Sequence, residues 1–197
     1  MGFVPAPYDV VEASQRAWLE RWDPAAASGN AVFTAILRSH QMLVHQVGEV
    51  MKAHGLTFAR YEVLAWLAAE PRSALTLSWI SKVLRIPPAT VTNLVDALVE
   101  AGLVRRVPHP SDARATLAEL TAHGERVVHD ATVELNDAVY RPLQLSEGER
   151  AELIGLLHDL RARSGEFDTT RSRDRIAKLG QADGGGAPSA GLPQRSR

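Results

Sequence analysis

The chain has 197 residues, a formal net charge of −1 and no cysteine. Its length allows one large domain or two small ones, and its content of 45% hydrophobic and 23% charged residues is ordinary for a globular protein with a buried core. The absence of cysteine excludes disulfides, thiol redox sensing and cysteine-ligated metal sites. No apolar run approaches the roughly 18 residues that span a membrane, and no secretory signal is visible, so we expect a cytoplasmic protein with no membrane partner.

The N-terminal part of the chain is predicted to be helical. Apolar residues recur at a loose helical spacing over 8–22, and Pro24 then marks a break and the start of a new helix. A long periodic run with apolar residues on one helix face continues to Gly55. We predict that residues 1–55 form an N-terminal extension and dimerisation helices.

The segment 56–120 is predicted to change from helices to strands. One of its helices opens at Ser78, and the next begins at a two-proline turn and ends at Gly102. Short strands are predicted at 103–107 and 117–120, separated by the polar loop PHPSDARA. A hairpin directly after the second helix of a helix–turn–helix is a winged arrangement. The predicted fold is therefore mainly α with a small β-hairpin wing, a winged helix–turn–helix domain joined to a helical dimerisation domain.

The C-terminal part is predicted to contain two further helices. Thr121 caps the first, and Ser146 with Glu149 forms a capping box at the start of the second. Because the apolar faces of these helices need a partner, residues 121–164 are predicted to complete the dimerisation domain. The remaining residues, 165–197, are rich in Gly, Pro, Ser and Arg and are predicted to be a disordered tail.

Positive charge is concentrated in the predicted winged segment. Residues 72–114 contain six basic and three acidic residues, a net charge of +3 on a chain that is otherwise slightly acidic. A local basic patch of this kind is typical of a surface that binds a polyanion. The helix IPPATVTNLVDALVEAGL at 86–103 nevertheless contains no lysine or arginine. If this helix reads DNA, other elements must supply most of the attraction to phosphate.

Three blocks of the sequence resemble the MarR family of winged helix–turn–helix transcriptional regulators. They are LTFARYEVLAWL at 56–67, LTLSWISKVLRIPPATVTNLVDALVEAGLVRR at 75–106 and HPSDARATLAELTAHG at 109–124, and the resemblance extends over 30–163. It implies a homodimer that places two winged domains on successive major grooves of pseudo-palindromic double-stranded DNA. Most such proteins are repressors that a small aromatic or phenolic effector releases.

The resemblance also implies which residues contact DNA. On the first turns of the recognition helix these are Pro88, Ala89, Thr90, Thr92 and Asn93. The candidates for phosphate contacts are Lys82, Arg85, Arg105 and Arg106, each of which could equally be a solvated surface charge. The wing adds His109 and Arg114. The family often has arginine where this chain has Asn93 and Ala97, so contacts from asparagine to adenine and from threonine methyl groups to thymine are expected instead of arginine–guanine contacts.

Two interpretations of Arg114 stay open. The family's D-R-R pattern pairs the aspartate with an arginine that braces the wing loop, while an arginine at the tip enters the minor groove. This chain has Asp112, Ala113 and Arg114 at these positions. Arg114 therefore either braces Asp112 or reaches a narrow A·T-rich minor groove, which attracts arginine.

The N-terminal helix resembles the extension of the PecS/UrtR-like branch of the family, in which a tryptophan of that helix lies near the ligand. That branch has an arginine where this chain has Leu94, so an anionic ligand such as urate would lack its partner here. We therefore expect a less charged aromatic effector. The predicted lining of its site is Trp18, Phe33, His40, Tyr61, Glu62 and Trp66. Core packing is an equal alternative for the apolar and aromatic members.

The sequence contains no nucleophile–base constellation, phosphate loop or metal signature, so we predict no enzyme activity, no cofactor and no metal ion. None of the seven histidines forms an i, i+4 pair. Two rival functions remain. The arginine-free helix also fits a winged-helix protein-interaction module, or a DNA binder of low specificity.

Overall fold

The computed structural model describes residues 6–70, 72, 74–111, 115–170 and 172. In chain order its helices are α1 Val10–Leu19, α2 Pro24–Ala53, α3 Phe58–Ala69, α4 Leu77–Leu84, α5 Pro88–Glu100, α6 Ala122–Leu135 and α7 Glu147–Arg163. Its strands are β1 Ala74–Thr76, β2 Val104–Pro108 and β3 Thr116–Leu120. The predicted mainly α fold with a small hairpin wing is confirmed. The predicted tail lies almost entirely outside the described residues.

The chain forms two compact units, Met1–Pro142 and Leu143–Arg197. The first contains α1 to α6 and the sheet, and the second contains α7. Each residue of α7 is at least partly exposed within the chain, and its N-terminus carries the predicted capping box of Ser146 and Glu149. None of the helices in the described part of the chain is both long enough and apolar enough to cross a lipid bilayer.

Short polar side chains cap the start of each helix in the first unit except α5. The carboxylate of Asp23 accepts hydrogen bonds from the backbone N–H groups of Ala25 and Ala26, which would otherwise lack partners in the first turn of α2. The hydroxyl of Thr76 accepts from the N–H of Trp79 at 3.2 Å and caps α4. The prediction that Ser78 opens this helix is therefore wrong, because the threonine two residues earlier makes the capping bond.

The sheet is antiparallel, with strand order β1-β3-β2. The predicted hairpin is confirmed: Arg105 lies opposite Glu119, and Arg106 lies opposite Ala118. Ala118 also pairs with Leu75 of β1, a third strand that extends the hairpin on its other side. The sheet thereby connects the wing to the segment that leads into α4.

One continuous apolar core holds the first unit together. It includes Met51 of α2, Leu64 of α3, Ile80 of α4, Leu98 of α5 and Leu135 of α6, all fully buried. Large apolar side chains that are buried in this way stabilise the folded state by about 1.5–3 kcal/mol each. The predicted functional division at residues 55, 120 and 164 stays a prediction, since α2, α3 and α6 share this core.

The start of α6 lies directly against the turn between α5 and β2. Gly102 ends α5 with a φ of 69°, a conformation that favours glycine, and the hydroxyl of Thr121 donates to its carbonyl oxygen at 2.8 Å. A Cβ atom at Gly124 would lie 2.0 Å from the carbonyl oxygen of Leu103. Only glycine at 124 allows this close approach.

The end of α6 widens into a π-helical turn at Asn136–Tyr140. The N–H of Arg141 donates to the carbonyl of Asn136 at 2.9 Å, five residues earlier. This turn places Val139 in the core and leaves Tyr140 on the surface. Turns of this kind often occur at functional sites.

Candidate nucleic-acid interface

The helix–turn–helix consists of α4, a short turn and α5. Arg85 begins the turn in the left-handed conformation, with φ 53° and ψ 39°. The hydroxyl of Ser81 donates to the carbonyl of Ile86 at 2.7 Å, and the N–H of Ile86 donates to the carbonyl of Ser81 at 3.3 Å. These two bonds between the same residues fix the path of the chain from one helix to the next.

The two faces of α5 separate as the sequence pattern predicts. Val91 and Val95 have no exposed surface and belong to the core. Ala89, Thr90 and Asn93 lie on the opposite, exposed face. Their spacing of three and four residues places them side by side on the helix surface. This exposed face contains three of the residues that are predicted to contact DNA.

Thr92 and the first residues of α5 complete this surface. The hydroxyl of Thr92 donates its hydrogen to the carbonyl oxygen of Pro88 at 3.1 Å, which leaves its methyl group and the acceptor lone pairs of its oxygen for a partner. Pro88, which is exposed, occupies the first position of the helix, where its missing N–H costs no helical hydrogen bond. No acidic residue lies in this described first turn, so the positive end of the helix dipole is unopposed by local charge.

The predicted phosphate contacts divide into two groups. Lys82 and Arg85 are exposed on α4 and at its end, next to the start of α5. Arg105 and Arg106 on β2 are held in ion pairs with Glu119 and Asp96. Whether any of them contacts DNA stays a prediction.

Arg105 makes a two-bond contact across the hairpin. Its Nε donates to Glu119 Oε2 at 3.1 Å, and its Nη2 donates to Oε1 at 2.9 Å. These hydrogen bonds hold the pKa of Glu119 below its usual range and raise the pKa of Arg105. A guanidinium has five N–H donors, so this geometry leaves some of the Arg105 donors for another acceptor.

Arg106 connects the wing to the recognition helix. Its Nη2 donates to Oδ1 of Asp96 at 2.7 Å, and Asp96 is an exposed residue of α5 one turn after Asn93. The pair places the only acidic group in the middle of α5 beside a positive charge.

The described part of the wing is ordered by its backbone and by His109. The N–H of His109 donates to the carbonyl of Ala115 at 3.1 Å, and the ring Nδ1 of His109 accepts from the N–H of Ser111 at 3.3 Å. Residues 112–114 lie outside the described residues. Both interpretations of Arg114 therefore remain open.

A second feature of the first unit is an open cavity of ≈340 Å³ against α3. Its lining consists of Phe58, Tyr61, Glu62, Ala65, Trp66, Ala69 and Tyr140. Three of the residues predicted to contact an effector, Tyr61, Glu62 and Trp66, are in this set. The other three, Trp18, Phe33 and His40, are not among the residues that line this cavity. The assignment of an effector site to these residues stays a prediction.

The sequence interpretation missed Phe58 and Tyr140 in this cavity. Phe58 lies four residues before Glu62 on one helix face, so helical spacing could have identified it. Tyr140 reaches the cavity from the π-helical turn, about 80 residues further along the chain, and no local pattern indicates that.

The polar groups of the cavity have different partners. The hydroxyls of Tyr61 and Thr132 are hydrogen-bonded at 3.0 Å, and Thr132 donates to the carbonyl of Val128 at 2.6 Å. Within the described ranges, no hydrogen bond or ion pair reaches the half-buried carboxyl of Glu62, and burial raises its pKa. Burial also raises the pKa of Tyr140, with smaller contributions from Tyr61 and Glu62.

One residue that lines the cavity, Trp66, packs against the helix–turn–helix. The ring of Trp66 contacts the ring of Trp79 edge-to-face, with centroids 5.5 Å apart and an interplanar angle of 73°. Trp79 lies in the first turn of α4. Such pairs contribute about 0.5–1.5 kcal/mol beyond the area they bury.

A family model and a solved structure both match this chain to the MarR family. A model of the MarR family matches residues 54–115, which include α3 to β2. The crystal structure of Sco5413, a MarR family transcriptional regulator from Streptomyces coelicolor, is 38% identical, with a TM-score of 0.64 over 72% of this chain and 98% of that one.

Two further solved structures contain bound molecules. A mutant of MarR from Escherichia coli, complexed with operator DNA, is 26% identical, with a TM-score of 0.60 over 66% of this chain and 92% of that one. CouR from Rhodococcus jostii RHA1, bound to p-coumaroyl-CoA, is 26% identical, with a TM-score of 0.59 over 66% of this chain and 90% of that one. The residues that the family model matches include α4, α5 and β2 of the candidate interface and the α3 residues that line the cavity, whereas β3 and Tyr140 lie outside them.

Proposed function

This chain belongs to the MarR family of transcriptional regulators, and we propose that it is a homodimeric repressor that a small aromatic effector releases from a pseudo-palindromic operator. The observation that carries this proposal is the exposed face of α5 formed by Ala89, Thr90 and Asn93, beside the hairpin wing. The similar MarR structure contains operator DNA. Proteins of this family regulate transcription, and no catalytic activity is proposed.

DNA recognition follows from the geometry of α5. An α-helix fits the major groove, where asparagine can make two hydrogen bonds to adenine and a threonine methyl group can contact the methyl group of thymine. Asn93 and Thr92 present these groups on α5. Lys82 and Arg85 lie next to the start of the helix and would contact the phosphates that flank the groove.

Homodimer formation is supported by the apolar surface that a single chain leaves exposed. In the first unit, Trp22 is 60% and Phe33 is 66% exposed. In the second unit, Ile154 is 67% and Leu156 is 64% exposed. Exposed apolar surface of this kind marks an interaction site. A second copy of the chain with two-fold symmetry would cover these surfaces and present two α5 helices to half-sites one helical turn apart.

The response to an effector is supported by the cavity on α3. The similar CouR structure holds p-coumaroyl-CoA. In this chain the cavity wall includes Trp66, which packs on Trp79 at the start of the helix–turn–helix. A ligand that binds better to the conformation unable to bind DNA would shift the equilibrium away from the operator.

The test is a gel-shift and footprinting titration on the DNA next to the protein's own gene, repeated at several salt concentrations. We expect two protected half-sites about one helical turn apart, and a decrease of log K with log salt of about 0.9 per phosphate contacted. Unrelated DNA of the same length serves as the control. If no part of this DNA is protected and binding does not depend on salt concentration, the proposal is excluded.

A DNA binder of low specificity is a second candidate, because α5 lacks basic residues and both arginines of β2 are held in ion pairs. For that protein the affinity for unrelated DNA would equal the affinity for the flanking DNA. A protein-interaction module would bind neither. Competition between the two DNAs at one salt concentration distinguishes the three functions.

A further inference from the structure

We propose that the cavity against α3 binds a planar aromatic cation, with the positive charge at the carboxylate of Glu62 and the ring against the aromatic walls. This proposal rests on the proposed function, because it gives the chemical class of the effector.

The charged groups that line the cavity disfavour an anionic ligand. Glu62 supplies a carboxyl, and the two tyrosines supply phenol hydroxyls. Lysine, arginine and histidine do not occur among the described residues that line the cavity. A ligand with a carboxylate or phosphate in this space would meet one like charge and no opposite charge, which is unfavourable at short range.

The aromatic walls of the cavity favour a cationic ligand. Four rings line the cavity, those of Phe58, Tyr61, Trp66 and Tyr140. The rings of Phe58 and Tyr61 are nearly parallel, with an interplanar angle of 22° and centroids 6.3 Å apart. The face of an aromatic ring is electron-rich and attracts a cation, and tryptophan does so most strongly. Aromatic walls around a single carboxyl form a site that favours a flat cation over a neutral or anionic compound of the same shape.

The surroundings of the Glu62 carboxyl also favour a cationic ligand. Burial raises its pKa, and it lacks a hydrogen-bonding or cationic partner in the described part of the chain. A bound cation would supply that partner and lower the pKa again. The other polar side-chain groups among the lining residues are the hydroxyls of Tyr61 and Tyr140. Cation binding is therefore expected to weaken as the pH falls through the pKa of Glu62 and its carboxyl becomes protonated.

The experiment compares three compounds of nearly identical shape. The probes are 2-naphthamidine, which is a cation, 2-naphthamide, which is neutral, and 2-naphthoate, which is an anion. Each is titrated into the full-length protein without DNA, and the heat of binding is measured at pH 7.5. We expect the cation to bind at least about tenfold more tightly than either of the other two, a ratio that corresponds to one well-placed charge interaction.

Three variants separate the role of the charge from an effect on folding. Glu62→Gln keeps the shape of the side chain and should abolish the preference for the cation. Glu62→Asp keeps the charge and should retain a preference. Glu70→Gln changes a glutamate at the end of the same helix that is not among the lining residues, and it should behave like the wild type. Thermal melting curves establish that each variant is folded.

Equal affinity for the three probes, tighter binding of the anion, or no binding of any probe at millimolar concentration would overturn the inference. The same holds if Glu62→Gln binds the cation as well as the wild type does. DNA binding is measured separately on the ligand-free protein. A protein that binds its operator but shows no preference for the cation disproves only this inference, whereas one that prefers the cation but binds no DNA disproves the proposed function.

Discussion

Arg106 on strand β2 donates a hydrogen bond to Asp96 on α5 at 2.7 Å, and this bond joins the wing to the recognition helix. Asp96 would repel phosphate if it stood alone on the exposed side of α5. Its pairing with Arg106 offsets that repulsion and limits the freedom of the arginine at the same time. The pair therefore affects both how the helix is oriented and how much positive charge the surface offers to DNA.

Asp96→Asn is expected to strengthen binding to DNA of unrelated sequence several-fold, because it removes a negative charge and releases Arg106 for a phosphate. Arg106→Gln is expected to weaken binding to all sequences and to reduce the salt slope by about 1. Gel shifts on operator and unrelated DNA at three salt concentrations measure both effects. If Asp96→Asn weakens binding as much as Arg106→Gln does, the pair acts by holding the wing in position and not through charge.

Asn93→Ala is expected to relax base preference at one position in each half-site, since a two-bond contact from asparagine to adenine contributes about 1–3 kcal/mol of discrimination. Binding to a library of operator variants measures the preference at each position. Glu100→Ala, at the exposed end of the same helix, is the control and should leave the preference profile unchanged. Identical profiles for wild type and Asn93→Ala would remove Asn93 from the set of residues that read bases.

Arg85→Gly is expected to raise thermal stability while weakening DNA binding. Arg85 adopts the left-handed conformation with φ 53°, which costs a residue with a side chain about 1 kcal/mol and glycine much less. An arginine that persists in this conformation points to a function of its side chain.

Arg85→Lys is the matched control for this experiment. It keeps the charge and the strained conformation, so its stability should stay near that of the wild type and its DNA binding should be largely retained. Urea denaturation and gel shifts on the three proteins give the two measurements. A glycine variant that binds DNA as well as the wild type would show that Arg85 makes no contribution to the phosphate contacts.

Gly124→Ala is expected to destabilise the protein by roughly 1–3 kcal/mol or more, because overpacking forces the backbone apart. The added Cβ would lie 2.0 Å from the carbonyl oxygen of Leu103, so α6 must move away from the turn that precedes β2. The control is Gly155→Ala in α7, where no atom of the described residues lies within 4 Å of the added Cβ. That change should stabilise its helix by about 0.5–1 kcal/mol. Urea denaturation of both variants at one protein concentration measures the two changes in stability. Changes in the same direction would contradict this prediction.

The pair between Arg105 and Glu119 is expected to make stability depend on pH in the acid range. The pKa of Glu119 is lower in the folded protein than in the unfolded chain, so its contribution is present above the unfolded pKa. It disappears as the pH falls through the folded pKa. Glu119→Gln should therefore destabilise the protein at pH 7 and have no effect at a pH below the folded pKa of Glu119, as measured by urea denaturation across this range. An effect of equal size at both ends would indicate that the charge of Glu119 is not involved.

Local patterns predicted the helices and the wing, because their causes lie within a few residues. Thr121 and the pair Ser146–Glu149 cap helices where the sequence indicates, since a cap depends on the next three residues only. Strand β1 has three residues and too little alternation to be recognised. Its partner in the sheet is more than 40 residues away.

The partners of the charged residues could not be predicted in the same way. The contact between Arg105 and Glu119 follows from the register of the hairpin, which places them opposite each other. The contact between Arg106 and Asp96 depends on how the wing packs on α5, and the sequence contains no signal of that packing. The interpretation of both arginines as candidates for phosphate contacts rests on the family resemblance and on their charge, and it is still a prediction.

The contact between Trp66 and Trp79 has a thermodynamic consequence. The ring of Trp66 forms part of the cavity wall and also contacts Trp79 in the first turn of α4. A compound that displaces the ring of Trp66 would therefore disturb the helix–turn–helix directly. Any coupling between the two sites must be reciprocal: if an effector reduces operator affinity by some factor, the operator reduces effector affinity by that same factor. Protein held on DNA would then respond to the compound only at higher concentrations than protein that is free in solution.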